Sequence, residues 1–276
     1  MPWYTSIEQQ NARRWWVYGR EYPLFTPAMF MLPFQIMREH RPGIGVEPFI
    51  VYTKTGDLVG DFTSQIKNVG LTIKEFEEYD VIVFPGQFPV FSQFENGQYY
   101  AELSDGVETW FSEVFTVVND ISPYLKIEWW DIEDFVMDAG TIVYENPAFR
   151  NVIYLQADIA KPEYVFDEDV EQRDGYMFPI KMISEKKYRF NFLASEYLLD
   201  VMRFIRMADF VVITKNGQEY KPDSFLITPE WENNGDVAAV EAEFETDTVA
   251  KKIGRRYVVP SGGDFNDDFN NDFKTE

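Results

Sequence analysis

The sequence predicts a mainly β protein whose second half is α+β. Short runs of β-branched and aromatic residues, turn residues between these runs and one stretch of helical period lead to this fold class. The chain has 276 residues, of which 45% are hydrophobic and 17% are aromatic, so one large or two smaller packed domains are possible. The predicted order is an N-terminal arm (1–42), a β-sandwich-like domain (43–120), an antiparallel sheet with one helix (121–258) and a flexible acidic tail (259–276).

The β-sandwich-like domain is predicted from five short strands. These strands span residues 48–52, 69–76, 81–84, 98–103 and 107–118. Between the last two lies Ser104-Asp105-Gly106, which is a strong signal for a hairpin turn. Short strands at this spacing, separated by turn residues, are typical of a small sandwich.

The second domain is predicted to combine strands with a single helix. Strands are expected over residues 124–130, 141–144, 151–157, 187–192 and 237–245. Ser195 can cap a helix whose apolar positions extend to Ala208. The strand over 210–214, the turn Asn216-Gly217 and the strand over 224–228 are expected to form a hairpin.

The N-terminal arm differs from the rest of the chain in charge and aromatic content. Residues 1–42 hold five arginines and three glutamates, which gives a net charge of +2. Since the whole chain has a net charge of −22, the remaining 234 residues have a net charge of −24. Trp3, Trp15, Trp16 and Tyr18 are the candidate partner-binding residues, because Trp, Tyr and Arg are enriched at interface hot spots. The arm either folds over the chain's own core or lies across another subunit.

Residues 264–273 of the tail are nearly all Asp and Asn apart from the phenylalanines, so this stretch cannot bury enough surface to fold alone. Phe265, Phe269 and Phe273 recur every four residues and would share one side of a helix formed on a partner. The tail is either a disordered, solubilising segment or a peptide that docks into a groove on another chain.

Composition excludes several function classes. The absence of cysteine removes disulfides, thiol nucleophiles and thiolate metal sites, and fits folding in a reducing cytoplasm. The net charge of −22 disfavours stable binding of nucleic acid or anionic membranes. Two prolines interrupt the apolar stretch over residues 25–34, so neither a signal peptide nor a membrane span is predicted.

No catalytic residue, metal ligand or cofactor is predicted. The single histidine, His40, lies between Arg38 and Arg41, whose charges disfavour its protonation, and no second histidine completes a metal site or triad. Glycine-rich phosphate loops and nucleophile elbows are absent from the sequence. The chain is therefore expected not to be an enzyme.

Two alternatives remain open from the residues. A surface glycan could be bound by exposed tryptophans such as Trp129, Trp130 or Trp231, and a glycan hydrolase could use carboxylates such as Glu128 and Asp134. 

The acidic run over residues 167–171 is expected to be an exposed loop or a loose cation site. It is not an EF-hand, because Gln172 and Phe178 occupy the positions that need glycine and glutamate.

Several segments between about residues 120 and 255 resemble the tail-region structural proteins of bacteriophages that infect Bacteroides-type hosts. The first is Lys161-Pro162-Glu163-Tyr164-Val165-Phe166-Asp167-Glu168-Asp169, followed by Arg173-Asp174-Gly175. The others span residues 184–188, 196–209, 231–238 and 244–249. Together they are similar to the ring and collar proteins of crAss-like podoviruses.

The resemblance implies a virion structural protein of the tail, assembled in the host cytoplasm, and it brings no catalytic residues. The implied partners are copies of the chain itself in a cyclic oligomer, with twelve as the expected number, and the portal and other tail proteins. Ring subunits bury their flanks heterologously and often exchange arms. A negatively charged lumen would let DNA pass without binding it.

Overall fold

The computed structural model describes residues 1, 3–12, 24–86, 94–131, 135–136, 143–144, 150–173, 176–231 and 237–252. Strands dominate this part of the chain, which confirms the predicted mainly β class with an α+β second half. The chain divides into two compact units. Unit 1 comprises Met1–Glu163 and Lys186–Thr246, and unit 2 comprises Tyr164–Glu185 and Asp247–Glu276.

Most of the described elements are strands, with few helices among them. The described strands are β1 (Trp3–Tyr4), β2 (Leu24–Pro27), β3 (Phe34–Glu39), β4 (Phe49–Thr53), β5 (Leu58–Asp61), β6 (Thr72–Glu75), β7 (Tyr79–Phe84), β8 (Gly97–Ser104), β9 (Thr109–Ser112), β10 (Phe115–Val118), β11 (Leu125–Trp130), β12 (Phe135–Val136), β13 (Val143–Tyr144), β14 (Asn151–Leu155), β15 (Glu163–Arg173), β16 (Tyr176–Ser195), β17 (Phe210–Lys215), β18 (Gln218–Tyr220), β19 (Ser224–Trp231) and β20 (Val237–Lys252). The described helices are α1 (Ile7–Ala12), α2 (Thr63–Asn68) and α3 (Glu196–Arg203), and a 3₁₀ turn spans Ile205–Met207.

Two sheets in the first half of unit 1 share one hydrophobic core. The larger has the order β1-β9-β8-β10-β2, with β4 paired to β8 and β5 paired to β4, and the smaller has the order β3-β7-β6. Phe34 and Phe84 from the small sheet meet Phe49, Leu103 and Phe115 from the large one in this core. Residues 24–39, within the range predicted as an arm, supply β2 and β3 to these sheets.

The predicted strand over residues 69–76 is wrong in its first half. Helix α2 and the Gly70 turn come before β6, which begins only at Thr72. Asp61 Oδ1 accepts hydrogen bonds from the N–H and the hydroxyl of Thr63 at the start of α2. Val69 and Leu71 still pack against the first core, so their apolar character reflects burial next to a helix end.

The predicted single strand over residues 107–118 is also wrong, because it divides into β9 and β10. Both strands pair with β8, β9 opposite its end and β10 opposite its beginning. The break lies at the buried Glu113, whose carboxylate accepts hydrogen bonds from the N–H of Val114 and the hydroxyl of Tyr4. The hairpin predicted at Ser104-Asp105-Gly106 is confirmed.

The second half of unit 1 is built around a second hydrophobic core. An antiparallel sheet with the order β14-β11-β17-β18 contributes Leu125, Ile127 and Trp129 to it. Strands β16 and β20 contribute the aromatic residues Phe190 and Phe244. The strands expected at 124–130, 151–157, 187–192 and 237–245 are confirmed as β11, β14 and parts of β16 and β20.

Helix α3 forms where the helical period predicts it. Ser195 is the N-cap, and its hydroxyl accepts a hydrogen bond from the N–H of Leu198. Leu198, Met202 and Ile205 are buried in the second core. The helix is short, because the chain tightens into the 3₁₀ turn after Phe204.

The hairpin predicted around Asn216-Gly217 is correct in its turn but wrong in its second strand. Asn216 and Gly217 have φ angles of 52° and 77°, as a two-residue turn of type I′ requires. The turn joins β17 to β18. Strand β19, which was expected as the partner, pairs with β20 along its whole length.

A buried ion cluster links the two sheets of the first half. Arg38 on β3 has its Nη1 2.8 Å from Asp105 Oδ2 and its Nε 3.1 Å from Asp80 Oδ2, and all three side chains are fully buried. Arg41 donates to Asp105, and His40 Nδ1 lies 2.7 Å from Asp80 Oδ1. The small sheet is thereby connected to the β8–β9 turn of the large sheet.

The hydrogen bonds that the Asp105 carboxylate accepts stabilise its ionised form against the effect of burial. Burial raises the pKa of Asp105, but the N–H groups of Glu108 and Val107 and the guanidinium groups of Arg41 and Arg38 outweigh it and lower the pKa to about 2. The ionised form therefore stabilises the folded state.

This pKa shift gives stability a defined acid dependence. Asp105 contributes fully above its unfolded pKa of about 3.9 and loses that contribution as the pH falls toward 2, on the order of 2 kcal/mol in all. We expect the free energy of unfolding, measured by urea denaturation, to fall over this range. The fall should be smaller in an Asp105→Asn chain, and an unchanged pH profile in that variant would contradict the assignment.

Removing the Asp105 charge should also destabilise the fold at neutral pH. Asp105→Asn leaves Arg38 and Arg41 without part of their counter-charge in a buried site, so we expect a loss of about 3 kcal/mol in the free energy of unfolding. The matched control is Asp200→Asn, which breaks an exposed pair with Arg203 and should change it by less than about 0.5 kcal/mol. Equal effects of the two substitutions would refute the structural role of the cluster.

Candidate interaction surface

Unit 2 has no core of its own among its described residues. They comprise β15 from Tyr164 onward, β16 up to Glu185 and the end of β20 from Asp247, and none of their described side chains is buried. Three strands need a packed apolar face to be stable independently. The strands β15 and β16 over residues 164–185, here called the ribbon hairpin, therefore have no packing layer among the described residues of this unit.

Large apolar side chains are exposed throughout the described part of unit 2. Phe166 is 67% exposed, Tyr164 63% and Met177 71%; Val165, Val170, Ile180 and Val249 are also exposed. Farther along β16 itself, Phe190 in unit 1 is only 1% exposed. Scattered apolar residues on a surface are ordinary, but seven large ones exposed in the described part of one small unit make it a candidate interaction surface.

Both faces of β15 carry exposed apolar and acidic side chains. One face holds Tyr164, Phe166, Glu168 and Val170, and the other holds Val165, Asp167 and Asp169. This region was expected to be an exposed acidic loop. The exposure is confirmed, but the loop is wrong, because residues 163–173 form one continuous strand.

The strand separates the described carboxylates of this region. Glu168 points to the face opposite Asp167 and Asp169, so these three side chains do not converge on one ion. Among the residues that the structure describes, no three histidine, aspartate or glutamate side chains are grouped closely enough to hold a metal.

Strand β15 is an edge strand within the described part of the chain. Its sheet has the order β15-β16-β20-β19, so β15 has a described neighbour on one side only. An edge strand presents a row of backbone N–H and C=O groups that can pair with another chain. The ribbon hairpin thus combines exposed apolar side chains with a backbone edge.

Of the residues predicted to bind partners, the structure describes Trp3 alone. The Trp3 ring is partly buried in the first core, with its centroid 4.7 Å from that of Phe34 and 6.4 Å from that of Phe49. Trp3 therefore packs on the chain's own core. The other predicted residues lie outside the described part: Trp15, Trp16, Tyr18, Phe265, Phe269 and Phe273.

The tryptophans considered for glycan binding do not form one exposed platform. Trp129 is 1% exposed in the second core, so the expectation that it is exposed is wrong. Trp130 stacks on Phe210 with ring centroids 5.2 Å apart, and the guanidinium carbon of Arg150 lies 4.3 Å from its ring. Trp231 is exposed.

The carboxylates considered for glycan hydrolysis are not brought together in the described structure. Glu128 forms an ion pair with Lys126, at 2.8 Å between Oε1 and Nζ. Asp134 lies outside the described residues. A cleft of about 400 Å³ in unit 1 is lined by Phe225, Lys187 and Glu243 among others. Its Lys187 and Glu243 neutralise each other at 2.6 Å.

The chain was compared with models of protein families, with curated proteins and with solved structures, and no match was found. No helix in the part of the chain that the structure describes has the length and apolar character needed to cross a membrane.

The exposure of the ribbon hairpin predicts a contrast between two phenylalanines. Phe166→Ser should change the free energy of unfolding by less than about 0.5 kcal/mol, because the ring contacts little of the chain. Phe190→Ala should cost about 3–5 kcal/mol, because it opens a cavity in the second core. Urea denaturation checks both values. Equal losses would mean that Phe166 packs in a core, contrary to its 67% exposure.

Proposed function

We propose that the chain is a non-enzymatic structural subunit of a bacteriophage virion. In this proposal it forms a multi-copy ring in the tail or portal-connector region, through which the genome can pass. The observation that carries the proposal is the ribbon hairpin, in which large apolar side chains are exposed and no described side chain is buried. Exposed apolar surfaces on soluble proteins mark sites where another protein binds.

The chemistry of the ribbon hairpin favours a protein partner. Aromatic residues such as Tyr164 and Phe166 are enriched at interface cores. The edge of β15 can continue the sheet into another chain. Copies of one chain are the simplest partner, and a ring forms when one surface binds a different surface of the next copy.

The net charge of −22 supports an assembly that is held by local contacts. Like-charged bodies repel one another, so subunits of this composition associate only where apolar, aromatic and backbone groups meet. The same charge keeps DNA phosphates from binding to the subunits, which suits a ring that surrounds a passing genome.

The placement in a phage tail is supported by the sequence resemblance to ring and collar proteins of crAss-like podoviruses. Residues 161–169, the first segment of that resemblance, include most of the apolar and acidic part of β15. The candidate interaction surface and the resemblance thus coincide on the same residues. Further partners in this proposal are the portal and other tail proteins.

Assembly through the ribbon hairpin can be tested by oligomer size. We expect the wild-type chain to form a closed oligomer; twelve copies of the 32.5 kDa chain would have a mass of about 390 kDa. The double variant Tyr164→Ser, Phe166→Ser removes the exposed rings and should shift the protein to the monomer. Light scattering after size-exclusion chromatography and native mass spectrometry measure both masses.

The matched control is Leu58→Ser on β5, since Leu58 has the same 67% exposure as Phe166 but lies in unit 1. This variant should assemble like the wild type. A wild-type chain that stays monomeric at all concentrations would contradict the proposed function. An oligomer that survives loss of both rings would show that assembly uses another surface.

A further inference from the structure

The exposed strand of the ribbon hairpin has a chemical counterpart in the same sequence. Residues 13–20 read Arg-Arg-Trp-Trp-Val-Tyr-Gly-Arg, with three arginines, no acidic residue and a run of four β-prone residues. We propose that β15 of one copy binds residues 13–20 of a second copy, which pair with its open edge as an additional strand. This inference rests on the proposed function and names the two surfaces that meet.

Charge complementarity supports this pairing. Asp167, Glu168 and Asp169 are consecutive exposed residues of β15, and they provide the negative charge. Arg13, Arg14 and Arg20 provide the positive charge on the second copy. Opposite charges at an interface accelerate association and fix the register of the two strands.

The apolar groups also match. Tyr164 and Phe166 lie exposed beside the acidic residues, and they offer ring surfaces for an incoming aromatic strand. Trp15, Trp16 and Tyr18 supply such rings. Aromatic and β-branched residues on neighbouring strands stabilise a sheet by cross-strand packing, in addition to the backbone hydrogen bonds.

The segment is held at both ends by the body of its own subunit. Before it, β1 pairs with β9, and the buried amide of Gln10 donates to the carbonyl of Ser112. After it, β2 pairs in parallel with β10. Anchoring at both ends lowers the conformational entropy that residues 13–20 lose on binding.

The acidic C-terminal tail is a poorer occupant of the same surface. Residues 264–273 carry four aspartates, which the acidic residues of β15 would repel. The charges therefore select the basic N-terminal segment over the phenylalanine-containing tail.

Two charge-reversed chains test the inference by complementation. One carries Arg13→Glu and Arg14→Glu and keeps an intact β15; the other carries Asp167→Lys and Asp169→Lys and keeps an intact N-terminal segment. We expect each chain alone to lose self-association by about tenfold or more, because like charges then face each other. An equimolar mixture should recover association, detected by native mass spectrometry as oligomers that contain both chains, since the intact β15 of the first chain meets the intact arginines of the second and the two reversed surfaces are also opposite in charge.

The matched control is Glu77→Lys with Glu78→Lys, which makes the same change in net charge at exposed residues of unit 1. This chain should assemble like the wild type, and because its β15 and its N-terminal segment are both unchanged, it should associate with the arginine variant as the wild type does. Wild-type assembly by both reversed chains would overturn this inference while leaving the proposed function intact. A monomeric wild type together with an unreactive mixture would overturn both.

Binding within one subunit is separated from binding between two by crosslinking. A photoreactive phenylalanine analogue at position 166 should attach to residues 13–20 of a differently labelled chain. Crosslinks confined to the same chain would overturn the assignment to a second copy.

Discussion

The aromatic packing of β16 against β20 is the interaction on which the second half of the structure depends. The rings of Tyr188 and Phe244 stack with centroids 5.1 Å apart, and Phe190 lies 6.2 Å from Phe244. A shift of one residue would turn every ring to the solvent face, so this packing determines the register of the sheet. On the opposite face Lys187 and Arg189 pair with Glu243, at 2.6 Å each, and support the same register.

The same two strands also supply residues to unit 2, where no described side chain is buried. Along β16 the side chains change from exposed to buried within a single strand, although the backbone conformation stays the same. What changes is the number of apolar neighbours, since the residues of β16 in unit 1 pack in the second core and no described side chain of unit 2 is buried. The exposed apolar surface is therefore a consequence of the fold, and the proposed self-assembly would cover it.

Local signals were predicted best. The Ser195 cap, the Asn216-Gly217 turn and the Ser104-Asp105-Gly106 hairpin depend on a few adjacent residues, and each is found where the sequence places it. The failures involve pairing at a distance: β19 pairs with β20 instead of β17, and the strand expected over 107–118 breaks at the buried Glu113. Pairing partners depend on which apolar surfaces meet in space, and the local pattern does not encode this.

The alternation of polar and apolar residues, the acidic charge and the aromatic content of the strands can be read from the sequence without any structure. For Trp129 and Trp130, the alternation predicts that the two rings lie on opposite faces of the strand, but it does not predict which of the two faces is covered. Only the tertiary structure buried Trp129 in the second core and left the rings of Tyr164 and Phe166 exposed. Exposure depends on the layer packed above a strand, and that layer comes from segments distant in the sequence.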